Sequence, residues 1–204
     1  LISTAGSCIE VVEALRNAGA DVLGIVSIFT YGMQKGLDRL AAAEAKKYGL
    51  DYHSSEWCLL PNSKRYGGIT EDWQKGNHGD IQAALMMARV MYSDFVDMNA
   101  VSWCYWKAME LRGDHALIAL HATDGDIHKG GYISSNKMLW VLGNFSRFVR
   151  PNYKRIDVKG ADDVDTLAAT AFLAPDGKQM VVVIVNSSFE SRRVRLELPK
   201  QWQR

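Results

Sequence analysis

Through the first 150 residues, hydrophobic positions alternate between helical and strand spacing. In SCIEVVEALRNAGA, Ile9, Val12 and Leu15 recur on one helical face, and Gly19 supplies a C-terminal cap. The near-continuous apolar run DVLGIVSIFTY that follows suits a buried parallel strand. Helical spacing returns over residues 33–48, with Met33, Leu37, Leu40 and Ala41 on one stripe. Residues 51–56 read as a second strand. A polar loop spans residues 61–79. Asp80 is placed to cap the next helix, whose buried face is predicted from Ile81, Ala84, Leu85, Ala88, Met91, Tyr92 and Phe95. AVSWCYW, residues 100–106, is a third strand, and residues 107–132 follow as an irregular stretch. Ser134 or Ser135 then caps a helix with Met138, Val141, Leu142, Phe145 and either Phe148 or Val149 inward, and Pro151 stops it.

Beyond Pro151 the pattern changes to strands alone: YKRIDV, TLAATAFLA, QMVVVIV and RRVRLEL, with a hairpin signal at Pro175-Asp176-Gly177. Either the set Val181, Val183 and Val185 or the opposite set faces the core. Helix–strand alternation followed by a β-only tail predicts an α/β fold: parallel strands alternating with helices, then an antiparallel sheet. Alternation alone does not separate a (β/α) barrel from an open doubly wound sheet.

Composition narrows the picture. The 204 residues are 48% hydrophobic and 23% charged, enough for a substantial core, and the net charge of +1 gives no reason to expect nucleic acid or an acidic membrane as partner. No apolar run approaches the length of a membrane span. Cys8, Cys58 and Cys104 are far apart and odd in number, so they are expected as buried free thiols. The five histidines lack H-x-x-x-H spacing, so neither a metal nor a cofactor is predicted. Among them, His115, His121 and His128 are expected in solvated or structural roles. Residue 1 is leucine, and LISTAGS has the character of a motif's interior, so the chain is expected to be part of something longer.

One residue resists the structural reading. Glu56, in DYHSSEWCLL, puts a carboxylate where Tyr52, Trp57, Leu59 and Leu60 call for a buried strand, and that is costly without a purpose.

Two family resemblances bear on this. Residues 1–44, LISTAGSCIEVVEALRNAGADVLGIVSIFTYGMQKGLDRLAAA onward, resemble the C-terminal part of orotate phosphoribosyltransferase. That resemblance implies that Ser3, Thr4, Ala5, Gly6 and Ser7 form a loop holding a 5′-phosphate at a helix N-terminus. The acidic pair that engages the ribose, the catalytic loop and the base pocket have no counterpart here. From residue 45 onward the chain resembles glycoside hydrolase family 30, through GLDYHSSEWCLL, AVSWCYWKAM and GGYISSNKMLWVLGNFSRFVRPNYKRID in that order. This implies three regions: 1–44 phosphoribosyltransferase-like, 45–151 the C-terminal portion of a (β/α) barrel, and 152–204 part of a β-sandwich. The seam lies in LDRLAAAEAKKYGL, through which a helix reads continuously.

The second resemblance implies that Glu56 is the nucleophile of a retaining glycosidase acting on a β-linked polysaccharide: glucan, galactan or xylan. It also implies that Trp57, Trp103, Trp106 and Tyr66 contact the carbohydrate, while Trp73, Asn77 and His78 on the same loop have either a subsite or an ordinary loop role. The family's acid/base carboxylate lies in an N-E-P motif, and N-E-P does not occur in these residues. The chain by itself is therefore expected to be inactive or to keep only weak carbohydrate binding. A partial barrel also implies self-association through an exposed edge. The hydrolase family is usually secreted or periplasmic, the transferase cytoplasmic, so the location stays open.

Overall fold

A computed structural model describes residues 6–22, 24–27, 49, 51–58, 81–111, 116–198 and 202. The predicted helix over 33–48, the loop over 61–79 with Tyr66, Trp73, Asn77 and His78, the Asp80 cap, His115 and the loop residues Ser3, Thr4 and Ala5 lie outside them.

The chain is a mixed α/β protein. Helix α1, Gly6–Asn17, leads to β1, Gly24–Ser27, and β2, Asp51–Trp57. Helix α2, Ile81–Val96, precedes β3, Ala100–Tyr105. These strands form one parallel sheet in the order β1-β2-β3. Helix α1 ends as its sequence demands: Gly19 takes φ +85°, its N–H reaches Arg16 O, and the N–H of Ala20 reaches Leu15 O. That pair of bonds satisfies carbonyls the helix would otherwise leave open. Val12 is buried, but Leu15 is 46% exposed, so the predicted apolar face of α1 is only partly covered by described residues.

Residues 107–111 and 116–132 are more ordered than their pattern suggests. Strands β4, Met109–Leu111, β5, Ile118–Ala122, and β6, Gly131–Ser135, form a small sheet with β5 central. β4 runs parallel to β5 and β6 antiparallel, with two 3₁₀ turns between β5 and β6. The strands are short and largely exposed, so they carry little hydrophobic periodicity to read. Ser134 and Ser135 belong to β6 and cap nothing. Asn136 is the N-cap of α3, Lys137–Ser146, and its side chain instead donates to Ala116 O at 2.5 Å. Met138 and Phe145 of α3 are buried, Val149 is half-buried, and Phe148 is 51% exposed. Arg150 donates to Ser146 O at the C-terminal end of α3, where a cation meets unpaired carbonyls favourably.

The tail forms an antiparallel sheet from β7, Lys154–Ile156, β8, Asp162–Asp163, β9, Leu167–Leu173, and β10, Met180–Asn186. β7 and β8 pair with successive halves of β9, and β10 pairs with β9 along its whole length. The predicted hairpin turns at Gly177, φ +66°, where its N–H reaches Ala174 O and the N–H of Ala174 reaches Gln179 O. Val183 and Val185 face the core while Ile184 does not, which resolves the two-way choice. The strand expected in RRVRLEL does not form: residues 191–198 join no ladder among the described residues, so one sheet, rather than two facing sheets, is described. A partial barrel is likewise not evident: the described parallel unit has three strands.

The core joins the parallel and antiparallel sheets through α2 and α3. Trp57 from β2, Ala83, Ala84, Met87 and Met91 from α2, Leu117, Met138 and Phe145 from α3, Phe172 from β9 and Val183 from β10 are buried together. The buried face of α2 includes the predicted Ala84, Ala88, Met91 and Tyr92 and widens to take in Ala83 and Met87, while Ile81 at its start is 47% exposed. Met87 is fully buried at this junction. Met87→Ala should therefore lower unfolding stability by about 2–5 kcal/mol, read as a shift in the urea midpoint, since a buried methionine leaves a cavity that neighbours fill only partly. A change under about 0.5 kcal/mol, the range of a surface substitution, would mean that α2 does not join the two sheets in solution.

Candidate active site

The two faces of β2 have different tasks. Tyr52, Ser54 and Trp57 point into the protein and are buried, whereas His53, Ser55 and Glu56 are half-buried. Pairing with β3 is interrupted twice. Tyr52 aligns with Ala100 but His53 with Ser102, so Val101 is extra in β3; Ser54 aligns with Trp103 but Trp57 with Tyr105, so Ser55 and Glu56 together oppose Cys104. A bulge of this kind turns a side chain out of the simple alternation and increases local twist. Glu56 thus sits on an irregularity at the C-terminal end of a parallel strand, the end where sheets of this class carry chemistry.

The inward face is closed. Trp57 is 4% exposed, with its ring 6.0 Å from that of Trp103 and 5.9 Å from that of Tyr105. Trp103 Nε1–H donates to Asp94 Oδ2 of α2 at 2.7 Å. Trp57 is buried, so its ring has no free face to offer a carbohydrate, whereas Trp103 is half-buried: it packs on Trp57 and Tyr105 and also lines a pocket with Met91, Phe95 and Tyr153. Burial of its hydroxyl also raises the pKa of Tyr105.

The outward face remains open. His53 Nδ1 and Ser102 Oγ share a hydrogen bond of 2.8 Å, Cys104 is exposed, and Trp106 is 40% exposed just past the end of β3. The backbone N–H of Trp106 donates to Trp57 O at 2.9 Å, which holds the end of β3 against β2 one residue from Glu56. Lys107 places its ammonium 4.9 Å from the Trp106 ring and also pairs with Glu110. Burial, assisted by the nearby Glu56 carboxylate, pushes the Cys58 thiol up to about 11, so it stays protonated at neutral pH. Of the expected buried cysteines, Cys58 is half-buried and Cys104 exposed. His121 Nε2 shares a hydrogen bond with Ser134 Oγ and its ring stacks on Tyr132 at 4.3 Å, a structural role in the small sheet. The described residues contain no cluster of His, Cys, Asp and Glu able to hold a metal ion, and no helix among them is long and apolar enough to cross a membrane. Of the predicted phosphate loop, Gly6 and Ser7 open α1.

Sequence reasoning missed Asp94. It lies inside an apolar helical stripe, and its significance comes from a tryptophan on a different element. Asp94 is 3% exposed, and burial raises its pKa to about 6, against the hydrogen bond from Trp103, which lowers it. The buried Ser54 hydroxyl lies near enough to favour the carboxylate, yet makes no hydrogen bond of normal geometry.

Comparison with known proteins follows this division of the chain. Residues 154–202 match the glycosyl hydrolase family 30 beta sandwich domain. A crystal structure of a conserved exported protein from Bacteroides fragilis superposes on 76% of this chain and 32% of its own, with a TM-score of 0.61 and 28% identity. The catalytic domain of the family 30 xylanase C from Talaromyces cellulolyticus shares the fold over 88% of this chain and 43% of its own, with a TM-score of 0.51 and 21% identity. A short segment is similar to orotate phosphoribosyltransferases. That of Halalkalibacterium halodurans is 53% identical over 73 residues, 35% of this chain and 33% of that protein; that of Bacillus cytotoxicus is 58% identical over 55 residues, 27% and 26%. The chain thus spans about a third or less of the length of these transferases. It combines a glycoside hydrolase family 30-like portion with a short phosphoribosyltransferase-like one.

The raised pKa of Asp94 has a consequence for stability. The folded state holds this proton between the ordinary carboxylate range and about pH 6, while the unfolded chain releases it. Stability should therefore fall as pH rises through that window, by up to about 3 kcal/mol for a shift of this size. Asp94→Asn, which keeps an acceptor for Trp103, should flatten this dependence in urea titrations between pH 4 and 7. An unchanged slope would show that Asp94 is solvated.

Proposed function

We propose that the chain carries the nucleophile side of a retaining β-glycosidase site, with Glu56 as the nucleophile. The supporting observation is the position of Glu56: on a bulge at the C-terminal end of a parallel strand, one residue from the backbone bond that ties Trp106 to Trp57. On this reading Glu56 attacks the anomeric carbon and forms a glycosyl ester. Trp106 presents an exposed ring suited to the apolar C–H face of a sugar. Tyr66, which follows β2 in the sequence, is a further aromatic candidate for substrate contact. The substrate class is a β-linked polysaccharide of the glucan, galactan or xylan type. An enzyme acting on such a polymer meets it outside the cytoplasm, in keeping with the exported B. fragilis neighbour. The reaction needs no cofactor.

Turnover also requires an acid at the leaving oxygen, about 5–5.5 Å from the nucleophile. The N-E-P motif that resemblance assigns to it does not occur in these 204 residues. The chain alone should thus show no turnover of polysaccharide, yet an activated 2,4-dinitrophenyl 2-deoxy-2-fluoro-glycoside, whose leaving group needs little protonation, should esterify it slowly. Intact-mass measurement should show one added glycosyl group, mapped by peptide digestion to the segment holding Glu56 and lost in Glu56→Gln. Labelling that persists in Glu56→Gln, or maps elsewhere, assigns the nucleophile wrongly.

A second reading rests on the identity of 53–58% to orotate phosphoribosyltransferases. Backbone amides at the start of α1, beside Ser3, Thr4, Ala5, Gly6 and Ser7, suit a 5′-phosphate. With no acidic pair to hold the ribose and no catalytic loop, orotate conversion by this chain should be undetectable in a spectrophotometric assay. Measurable conversion of orotate with phosphoribosyl diphosphate, releasing pyrophosphate, would overturn the hydrolase reading in favour of this one.

A further inference from the structure

Between β3, the end of α3 and the antiparallel sheet lies a cavity of about 870 Å³, a volume within the range of small-molecule sites. It borders the N-terminal part of β3, whereas Glu56 lies beside Cys104 near the other end of that strand. Its walls are largely aromatic: Phe95 of α2, Trp103 of β3, Phe145 of α3, Tyr153 and Phe172 of β9. The polar atoms of these rings already have partners. Trp103 Nε1–H donates to Asp94 Oδ2, and the Tyr153 hydroxyl donates to Gln179 Oε1 at 2.8 Å. What the rings can give a guest is apolar contact on their faces and edges.

The strand register decides which charge accompanies them. On β7, Arg155 aligns with Phe172 of β9 and Lys154 with Leu173. Directly opposed residues share a face, so Arg155 lies on the face that Phe172 packs into the core, and Lys154 lies on the other. The Arg155 guanidinium is poorly matched there. Its Nη1 donates to Asp157 Oδ1 at 3.0 Å, but that carboxylate is 88% exposed, so water screens the pair. Its Nε is closed off from solvent and has no hydrogen-bond partner. The side chain as a whole is 25% exposed, and its terminal nitrogens are the part an anion can reach. Arg150 borders the same cavity, and among the described residues no Asp or Glu lines it. A cation in such surroundings gains most from a carboxylate that reaches it by a charge-assisted hydrogen bond.

We propose that this cavity binds a small carboxylate with an aromatic body, its carboxylate on Arg155 and its ring among Phe95, Trp103 and Tyr153. The apolar walls select the body and the guanidinium selects the head. The site is separate from Glu56, and the inference does not rest on the glycosidase reading.

The test is isothermal titration calorimetry of the full chain with 3-phenylpropanoate and with its uncharged counterpart, 3-phenylpropanamide. The acid should bind once per chain with a Kd on the order of 1 mM, as suits a ligand of this size. The amide should bind at least about tenfold more weakly. Arg155→Gln should bring acid and amide to within about threefold of each other. Lys154→Gln removes the same charge from the opposite face and should leave both affinities unchanged. Leu142→Trp, which fills the cavity from α3, should abolish binding of the acid. Far-UV circular dichroism checks the fold of each variant. The preference of the native chain for acid over amide needs no change to the core, so the proposal can fail even where a variant does not fold. No binding of the acid up to about 10 mM overturns it, well above the Kd expected for this size. So does equal affinity for acid and amide. A loss in Lys154→Gln as large as that in Arg155→Gln also overturns it, because net charge and not Arg155 would then be responsible.

Discussion

Helix α2 is buried on two sides, and the arrangement of the protein follows from that. Its Met87 and Met91 meet Trp57 of the parallel sheet and Phe172 and Val183 of the antiparallel sheet in one apolar cluster. Phe95 extends the same contact, its ring 5.6 Å from both Phe145 and Phe172. Neither sheet could be stable alone: three short parallel strands or one small antiparallel sheet each bury too little area to offset the ordering of their residues. With α2 and α3 between them, they share a core. The Arg89–Asp165 ion pair also links α2 to the segment before β9, but both partners are exposed and contribute little beside the apolar contacts.

That shared core also divides β2. Packing against α2 takes up Tyr52, Ser54 and Trp57 and, across the ladder, Trp103 and Tyr105. The ladder is fixed from behind by the bond from Trp103 to Asp94. Glu56 is then carried on the other side, by a bulge that the rigid inner face holds in place. Two irregularities of opposite sense, Val101 extra in β3 and one extra residue at Ser55–Glu56 in β2, return the strands to step by Trp57 and Tyr105. A carboxylate placed in this way is costly for packing and useful for chemistry.

The ends of the chain differ in character. The C-terminal portion behaves as a built domain, with β9 buried along most of its length. The front contributes α1, closed by its glycine cap, and β1, which adds to the edge of the sheet beside β2.

Much of this was present in the residues alone. The α/β-to-β transition at Pro151, the two helices flanking β3, the hairpin at Gly177 and the odd carboxylate at Glu56 all follow from local chemistry: periodicity, a residue that tolerates positive φ, a charge in an apolar run. Other features were decided only by tertiary contact. Which arc of α2 turns inward depends on two sheets that compete for it, so Met87 is buried and Ile81 is not. Trp57 became a packing residue because a strand's two faces look alike until one is covered. The small sheet β4-β5-β6 forms from short exposed strands that are stable only as a set, so none of them announces itself. RRVRLEL has every local property of a strand and is not one, because a strand exists only where another lies within hydrogen-bonding distance, and that is a property of the fold rather than of the segment.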